Sequence, residues 1–143
     1  MEVKGLWLEV TTSRRKHILV CAIYRPPSSG KVFLENFLDI LERVAVEAKE
    51  VLFLGDFNID CQSDSPISRQ MKDICKGSGL EQMIQSPTRL TNSTRTLNDH
   101  VYTSSSNCIS EAGCLDIGVS DHMMVFATMK GTGRQSTTNC QHT

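Results

Sequence analysis

Three short clusters in the sequence carry side chains able to do acid–base or metal chemistry, and each borders an apolar run. The first, Gly55-Asp56-Phe57-Asn58, follows Val51-Leu52-Phe53-Leu54. A glycine there lets the backbone turn sharply and come close to a ligand. The Asp56 carboxylate and the Asn58 amide then project from a strand's C-terminal edge, where sites in α/β sheets are common. The same residues also suit a self-contained Asx turn. The second cluster is Asn98-Asp99-His100, inside a run of β-type residues. Alternation sends Asn98 and His100 to one face and Asp99 to the other. On an inward face Asp99 needs a partner, and on a half-exposed strand it meets water. The third cluster, Ser120-Asp121-His122, runs straight into Met123-Met124-Val125-Phe126. There a carboxylate can serve a metal while the imidazole serves a substrate oxygen. The plain alternative is a polar strand entry with a surface histidine.

The elements that must position these clusters follow from hydrophobic spacing. Leu6, Leu8 and Val10 alternate with polar or half-polar neighbours, the period of a strand, and Thr11 to Lys16 reads as a hairpin turn. Ile18 to Tyr24 is a nearly continuous apolar run, expected as a strand buried on both faces and ended by Pro26 and Pro27. Ser28 or Ser29 then suits a helix cap. From Lys31 to Lys49, Phe33, Phe37, Ile40, Leu41, Val44, Ala45 and Ala48 share one helical face. Val51 to Leu54 follows as a buried strand. This gives either a βαβ-type unit or a helix covering one face of a sheet.

A second helix is expected over Ile67 to Lys76, ended by Gly77 and Gly79. Ser86 to Thr96 reads as a polar loop carrying Arg89 and Arg95, Leu97 to Thr103 as a strand, and Ser104 to Asn107 as a turn. Ile117 to Val119 is a short apolar piece, and Met123 to Met129 the last strand. Residues 1–130 are expected as one domain and 131–143 as a disordered tail without large apolar residues.

Composition narrows the function classes. At ~150 residues per domain, 143 residues make one domain. With 39% hydrophobic and 22% charged residues the chain is ordinary globular material. Fifteen basic against sixteen acidic side chains give a net charge of −1, which excludes binding to polyanions through bulk charge. No apolar run nears the ~18 residues that span a bilayer. Charges also stand where a signal peptide would be apolar, so an intracellular, soluble protein is expected. None of the six cysteines forms a Cys-x-x-Cys pair. Free thiols are therefore expected, with a structural disulfide as the alternative.

The clusters, their order and the Tyr24-Arg25-Pro26-Pro27 segment together carry a resemblance. With Ser86-Pro87-Thr88-Arg89 and Thr96-Leu97-Asn98-Asp99-His100-Val101-Tyr102, the sequence resembles the endonuclease/exonuclease/phosphatase (DNase I-like) superfamily over Leu6 to Lys130. Within it, the wording is most similar to the endonuclease domain of non-LTR retrotransposons. The resemblance implies an α/β (α+β) fold: a partial four-layer α/β sandwich of the DNase I-like type, its N-terminal strands missing. It also implies DNA nicking by phosphodiester hydrolysis with Mg²⁺ (or Mn²⁺).

By the same resemblance, Asp56 orients or deprotonates the attacking water and Asn58 hydrogen-bonds at the phosphate. Asp121 contributes to metal binding. His122 contacts the phosphoryl oxygens, with Asp99 orienting its imidazole, and Tyr24 donates to the phosphate. Thr88 and Ser120 match supporting positions at the substrate, and Arg89 and Arg95 face backbone phosphates. DNA is the implied partner, a reverse transcriptase on the same polypeptide the implied neighbour, and the nucleus the implied place of action.

Two departures stand out. The family's N-terminal half, with its strands, an asparagine and a metal-binding glutamate, has no counterpart here. Glu2 and Glu9 lack that glutamate's context. The chain thus looks like the C-terminal part of the domain, with weakened Mg²⁺ affinity, exposed sheet edges and poor solubility expected for it alone. Asn98 stands where family sequences carry an apolar residue. Two other functions remain: a phosphatase of the same superfamily, and a degenerate fragment without catalysis.

Overall fold

The computed structural model describes residues 3–12, 14–47, 49–131 and 136–142, the last stretch by backbone course alone. Ala48 and Glu2, and the side chain of Cys140, lie outside the described residues. Strands β1 (Lys4–Thr11) and β2 (His17–Tyr24) form the expected hairpin, closed where Thr12 N donates to Lys16 O (2.9 Å). Helix α1 (Val32–Glu47) follows, then β3 (Glu50–Asp56), which pairs parallel with β2. The βαβ unit is therefore real. Its helix opens at Val32, not at the serines: Ser29 N instead closes a turn on Pro26 O. Helix α2 (Pro66–Gly77) starts at a working cap, with Ser65 Oγ accepting from Ser68 N, and Pro66 in its first turn. It ends through Gly79, whose φ of +71° favours glycine.

Short strand β4 (Glu81–Gln82) comes next. The two-residue strands β5 (Arg89–Leu90) and β6 (Arg95–Thr96) pair with each other inside the expected loop. Strand β7 (Asp99–Thr103) is buried along its whole length. A 3-10 turn at Ser106–Cys108 leads to β8 (Ile109–Leu115), which pairs antiparallel with β9 (Met124–Met129). Strand β8 has no periodic signature, because Ser110, Glu111 and Gly113 interrupt its apolar residues. Its partner supplies the order, with the Phe126 ring lying over Gly113. Within the stretch expected as a tail, strand β10 (Ser136–His142) pairs antiparallel with β1.

The main sheet runs β10-β1-β2-β3-β7-β4. On one face, α1 lays Phe33, Phe37, Leu41 and Val44 against Cys21, Ile23 and Phe53. Phe37 sits at the centre, 5.2 Å from Phe53, 5.8 Å from Phe57 and 5.9 Å from Phe33 between ring centroids. On the other face, Leu52 and Val101 meet Ala112, Val125, Ala127 and Met129 of the β8–β9 hairpin. The layers are thus helices, sheet and hairpin, the partial sandwich that the sequence implies. Cys21, Cys61, Cys75, Cys108 and Cys114 are free thiols. Among the described residues no helix is long and apolar enough to cross a membrane.

Two residues tie this core to the sheet ends. Gly55 has φ +144°, and a Cβ there would collide with the Ile23 carbonyl of β2. His100 is fully buried, stacked on Phe57 at 4.8 Å. Its Nε2 lies 2.8 Å from Ile59 O and 3.0 Å from Leu97 O. Carbonyls only accept, so Nε2 carries the proton and Nδ1 accepts from the Tyr102 hydroxyl at 3.0 Å. Burial pushes this imidazole down to about 4, against the pull of those carbonyls.

Two outcomes follow for stability. Gly55→Ala destabilises by ~3 kcal/mol or more, through strain at positive φ and the clash with β2, measured by urea unfolding. The His100 shift makes the unfolded state bind the extra proton. Stability therefore falls by roughly 3 kcal/mol as pH drops from about 6.5 to about 4. His100→Phe gives a lower but flatter profile across that window.

Candidate active site

The site begins with register. Tyr24 of β2 stands opposite Asp56 of β3, and Asp56 stands opposite Asp99 of β7. Directly paired residues point to the same face of a sheet. One row across three strands thus brings a phenol and two carboxylates to the face that the β8–β9 hairpin covers. Tyr24 is 49% exposed at this edge.

His122 enters just before β9. Arg89 and His122 form an isolated bridge, Leu90 N donates to Asp121 O (2.9 Å), and Met123 N donates to Thr88 O (2.6 Å). The strand-entry segment is therefore sewn to β5. Within it, Ser120 Oγ accepts from His122 N at 3.0 Å, a local turn that sets the histidine's backbone. His122 Nδ1 lies 2.9 Å from Asp99 Oδ2. A carboxylate accepts, so Nδ1 carries a proton and Nε2 is the nitrogen turned to other partners.

Thr88 completes this arrangement from behind. It is fully buried, and its hydroxyl donates to Asp99 Oδ2 at 2.7 Å. Thr88 Oγ1 in turn accepts from Asp99 N (2.9 Å) and Asn98 N (3.2 Å), which uses the hydroxyl's full hydrogen-bonding capacity. Thr88, expected at the substrate, is thus enclosed, with its hydroxyl spent on Asp99 and on the backbone ahead of β7. Asn98 is buried just ahead of β7, with its backbone bonded to Thr88 and to Phe57 N.

Asp56 is half-buried. Its Oδ1 accepts from Asn58 N at 2.9 Å, and its Oδ2 accepts from Asn58 Nδ2 at 3.3 Å. Burial raises its carboxyl above the usual range, and the charge of Asp99 adds to this; the Asn58 N–H bond, His122 and Arg89 pull the other way. Asn58 takes φ +47°, and its amide nitrogen also donates to Arg25 O at 2.7 Å. That nitrogen is committed to the turn.

Donor atoms of Asp56, Asp99 and His122 all lie within 4.8 Å of one another, a group of two carboxylates and an imidazole able to hold a divalent ion. Asp121, the expected metal ligand, is not in this group. Its carboxylate takes Arg89 Nε at 2.9 Å, and that guanidinium holds it below the ordinary carboxylate range. The pair is solvent-exposed. Arg95 is exposed on β6.

Two contributors carried no role in the sequence reading. Asp60 Oδ1 accepts from Leu97 N and Gln62 N, both at 3.0 Å, anchoring the approach to β7. Arg25 is 4% exposed with its guanidinium turned to the Asp56–Asn58 turn. A basic residue between an apolar strand and two prolines was the available signal.

Thr88→Val leaves two buried N–H groups and one carboxylate oxygen short of a partner. It costs about 1–3 kcal/mol in denaturant unfolding. Arg89→Met moves the Asp121 titration, followed by carbon NMR, to higher pH, and added salt does the same to the wild type.

Comparison with known proteins agrees with this geometry. A family model described as endonuclease-reverse transcriptase matches residues 18–126. No curated protein matches the sequence significantly. Among solved structures, the endonuclease domain of TRAS1, a telomere-specific non-LTR retrotransposon, superposes with a TM-score of 0.73 at 18% identity, over 88% of this chain and 64% of that one. The catalytic domain of Xenopus laevis APE2 gives 0.66 at 13% identity, over 97% and 56%. The 3′ phosphatase NExo from Neisseria, bound to product DNA hairpin, gives 0.60 at 17% identity, over 87% and 64%. The chain thus spans less than two thirds of the length of these structures, and at such identities they establish the fold. Motif order, the row of Tyr24, Asp56 and Asp99, and the family match lead to one conclusion: the chain belongs to the endonuclease-reverse transcriptase family of the DNase I-like endonuclease/exonuclease/phosphatase superfamily.

Proposed function

We propose that this chain carries residues of a metal-assisted DNA endonuclease site of the non-LTR retrotransposon type. The observation that supports this most is the Thr88–Asp99–His122 chain set within reach of Asp56. Hydrolysis of a phosphodiester builds negative charge on the phosphoryl oxygens and needs a base for the attacking water. Asp56, ionised, takes the water's proton or orients it. Asp99 holds Nδ1 of His122, so that Nε2 meets a phosphoryl oxygen. Tyr24 donates its phenol to the same phosphate. Arg89 and Arg95 meet backbone phosphates, Ser120 sets the His122 turn, and Asn58 keeps Asp56 aimed.

Asp56 and Asp99 are the residues that would offer carboxylate oxygens to a divalent ion, Mg²⁺ or Mn²⁺, while His122 keeps Nε2 for the phosphate. Asp121 would join them once released from Arg89. When bound, such an ion adds positive charge at the phosphate. The wider reading places a reverse transcriptase on the same polypeptide and the work in the nucleus.

The test is a supercoiled-plasmid assay run beside one for inorganic phosphate. The expected result is nicked circles in Mg²⁺, none in chelator, and a loss of ~10² or more in His122→Ala and Asp56→Asn. Equal nicking by those variants contradicts the reading. Phosphate release without nicking assigns the site to phosphatase chemistry. Silence in both assays, with no heat of Mg²⁺ binding, favours the non-catalytic fragment.

A further inference from the structure

Arg25 occupies an unusual position for a cation. Burial works to strip its proton, while the Asp56 charge nearby helps to keep it. Its Nη1 donates to Asn58 O (3.1 Å) and Phe57 O (3.4 Å), and its Nη2 donates to Ser29 O. The guanidinium lies 5.5 Å from the centroid of Phe33 on α1. Its Nε is buried without a hydrogen-bond partner. The backbone of the same residue reaches the same turn: Arg25 N donates to Asp56 O (2.8 Å) and Arg25 O accepts from Asn58 Nδ2 (2.7 Å). Main chain and side chain of residue 25 together thus touch each of Asp56, Phe57 and Asn58.

A buried charge with an orphaned N–H is a costly way to fill space, and an apolar side chain of similar volume would serve a core better. What an apolar residue cannot do is fork two carbonyls of one turn. We propose that Arg25 is a positioning residue for the site: its guanidinium locks the Asp56-Phe57-Asn58 turn, with Asn58 in its left-handed conformation. This deepens the endonuclease reading and rests on it for its catalytic consequence. The conformational consequence stands on the fold itself.

The experiment compares wild type, Arg25→Lys and Arg25→Met. Amide exchange of Asn58 is followed by NMR, and plasmid nicking is resolved into kcat and KM. In both variants the Asn58 amide exchanges at least ~10-fold faster, because the turn is no longer held, and kcat falls ~10²-fold with KM nearly unchanged. Arg25→Lys does not rescue, because a lysine keeps the charge yet cannot fork the carbonyls.

An Asn58 amide that exchanges alike in wild type and Arg25→Met overturns the proposal and leaves a residue that serves folding. Should the variants not fold, wild type decides: a clamped guanidinium gives separate Nη nitrogen resonances, and a single averaged resonance overturns the proposal. If wild type does not nick, the endonuclease reading falls while the Asn58 exchange still decides the role of Arg25.

Discussion

The bond between Asp99 and His122 organises the site. One carboxylate oxygen, Oδ2, receives both the Thr88 hydroxyl at 2.7 Å and His122 Nδ1 at 2.9 Å. Because Thr88 is fully buried and its hydroxyl is saturated by two backbone N–H groups, Asp99 cannot turn away without breaking several bonds together. Its carboxylate is therefore pre-set before any substrate arrives, and the imidazole inherits that orientation. Electrostatic groups fixed in advance need no reorganisation when charge develops beside them.

The sheet places this bond where it matters. Parallel pairing of β2 with β3 and antiparallel pairing of β3 with β7 set Tyr24, Asp56 and Asp99 in one row. A slip of one residue in either pairing would turn an acidic side chain toward the Phe37–Phe53 core. Gly55 resists such a slip by admitting a close approach to Ile23 that no other residue tolerates. On the helix side, His100 shares the strand with Asp99 but faces the opposite way. It stays neutral and spends its hydrogen bonds on Ile59, Leu97 and Tyr102. Adjacent residues of one strand thus do structural and chemical work on opposite faces.

Much of this was legible in the sequence. Periodicity located β1, β2, α1, β3, α2 and β9, because each buries a face that is written into its own residues. The motif residues Asp56, Asp99 and His122 do converge. What escaped depends on partners far away in the chain. Strand β8 is ordered by Phe126, and β10 by the free edge of β1. Thr88 reads as a polar loop residue, yet the β5–β6 pairing and the bond to Met123 draw it inside. The ion pair of Asp121 with Arg89, 32 positions away, is likewise announced by no local pattern. Local composition cannot report such contacts, since each is fixed by tertiary packing.

Asp99 dictates which nitrogen of His122 carries the proton. Long-range nitrogen–proton NMR correlation of the imidazole, recorded at a pH where the ring is neutral, tests this most directly. Wild type is expected to carry a proton on Nδ1, slow to exchange, and Asp99→Ala a mixture of tautomers. A wild-type ring protonated on Nε2, or a tautomer indifferent to the loss of Asp99, would contradict it.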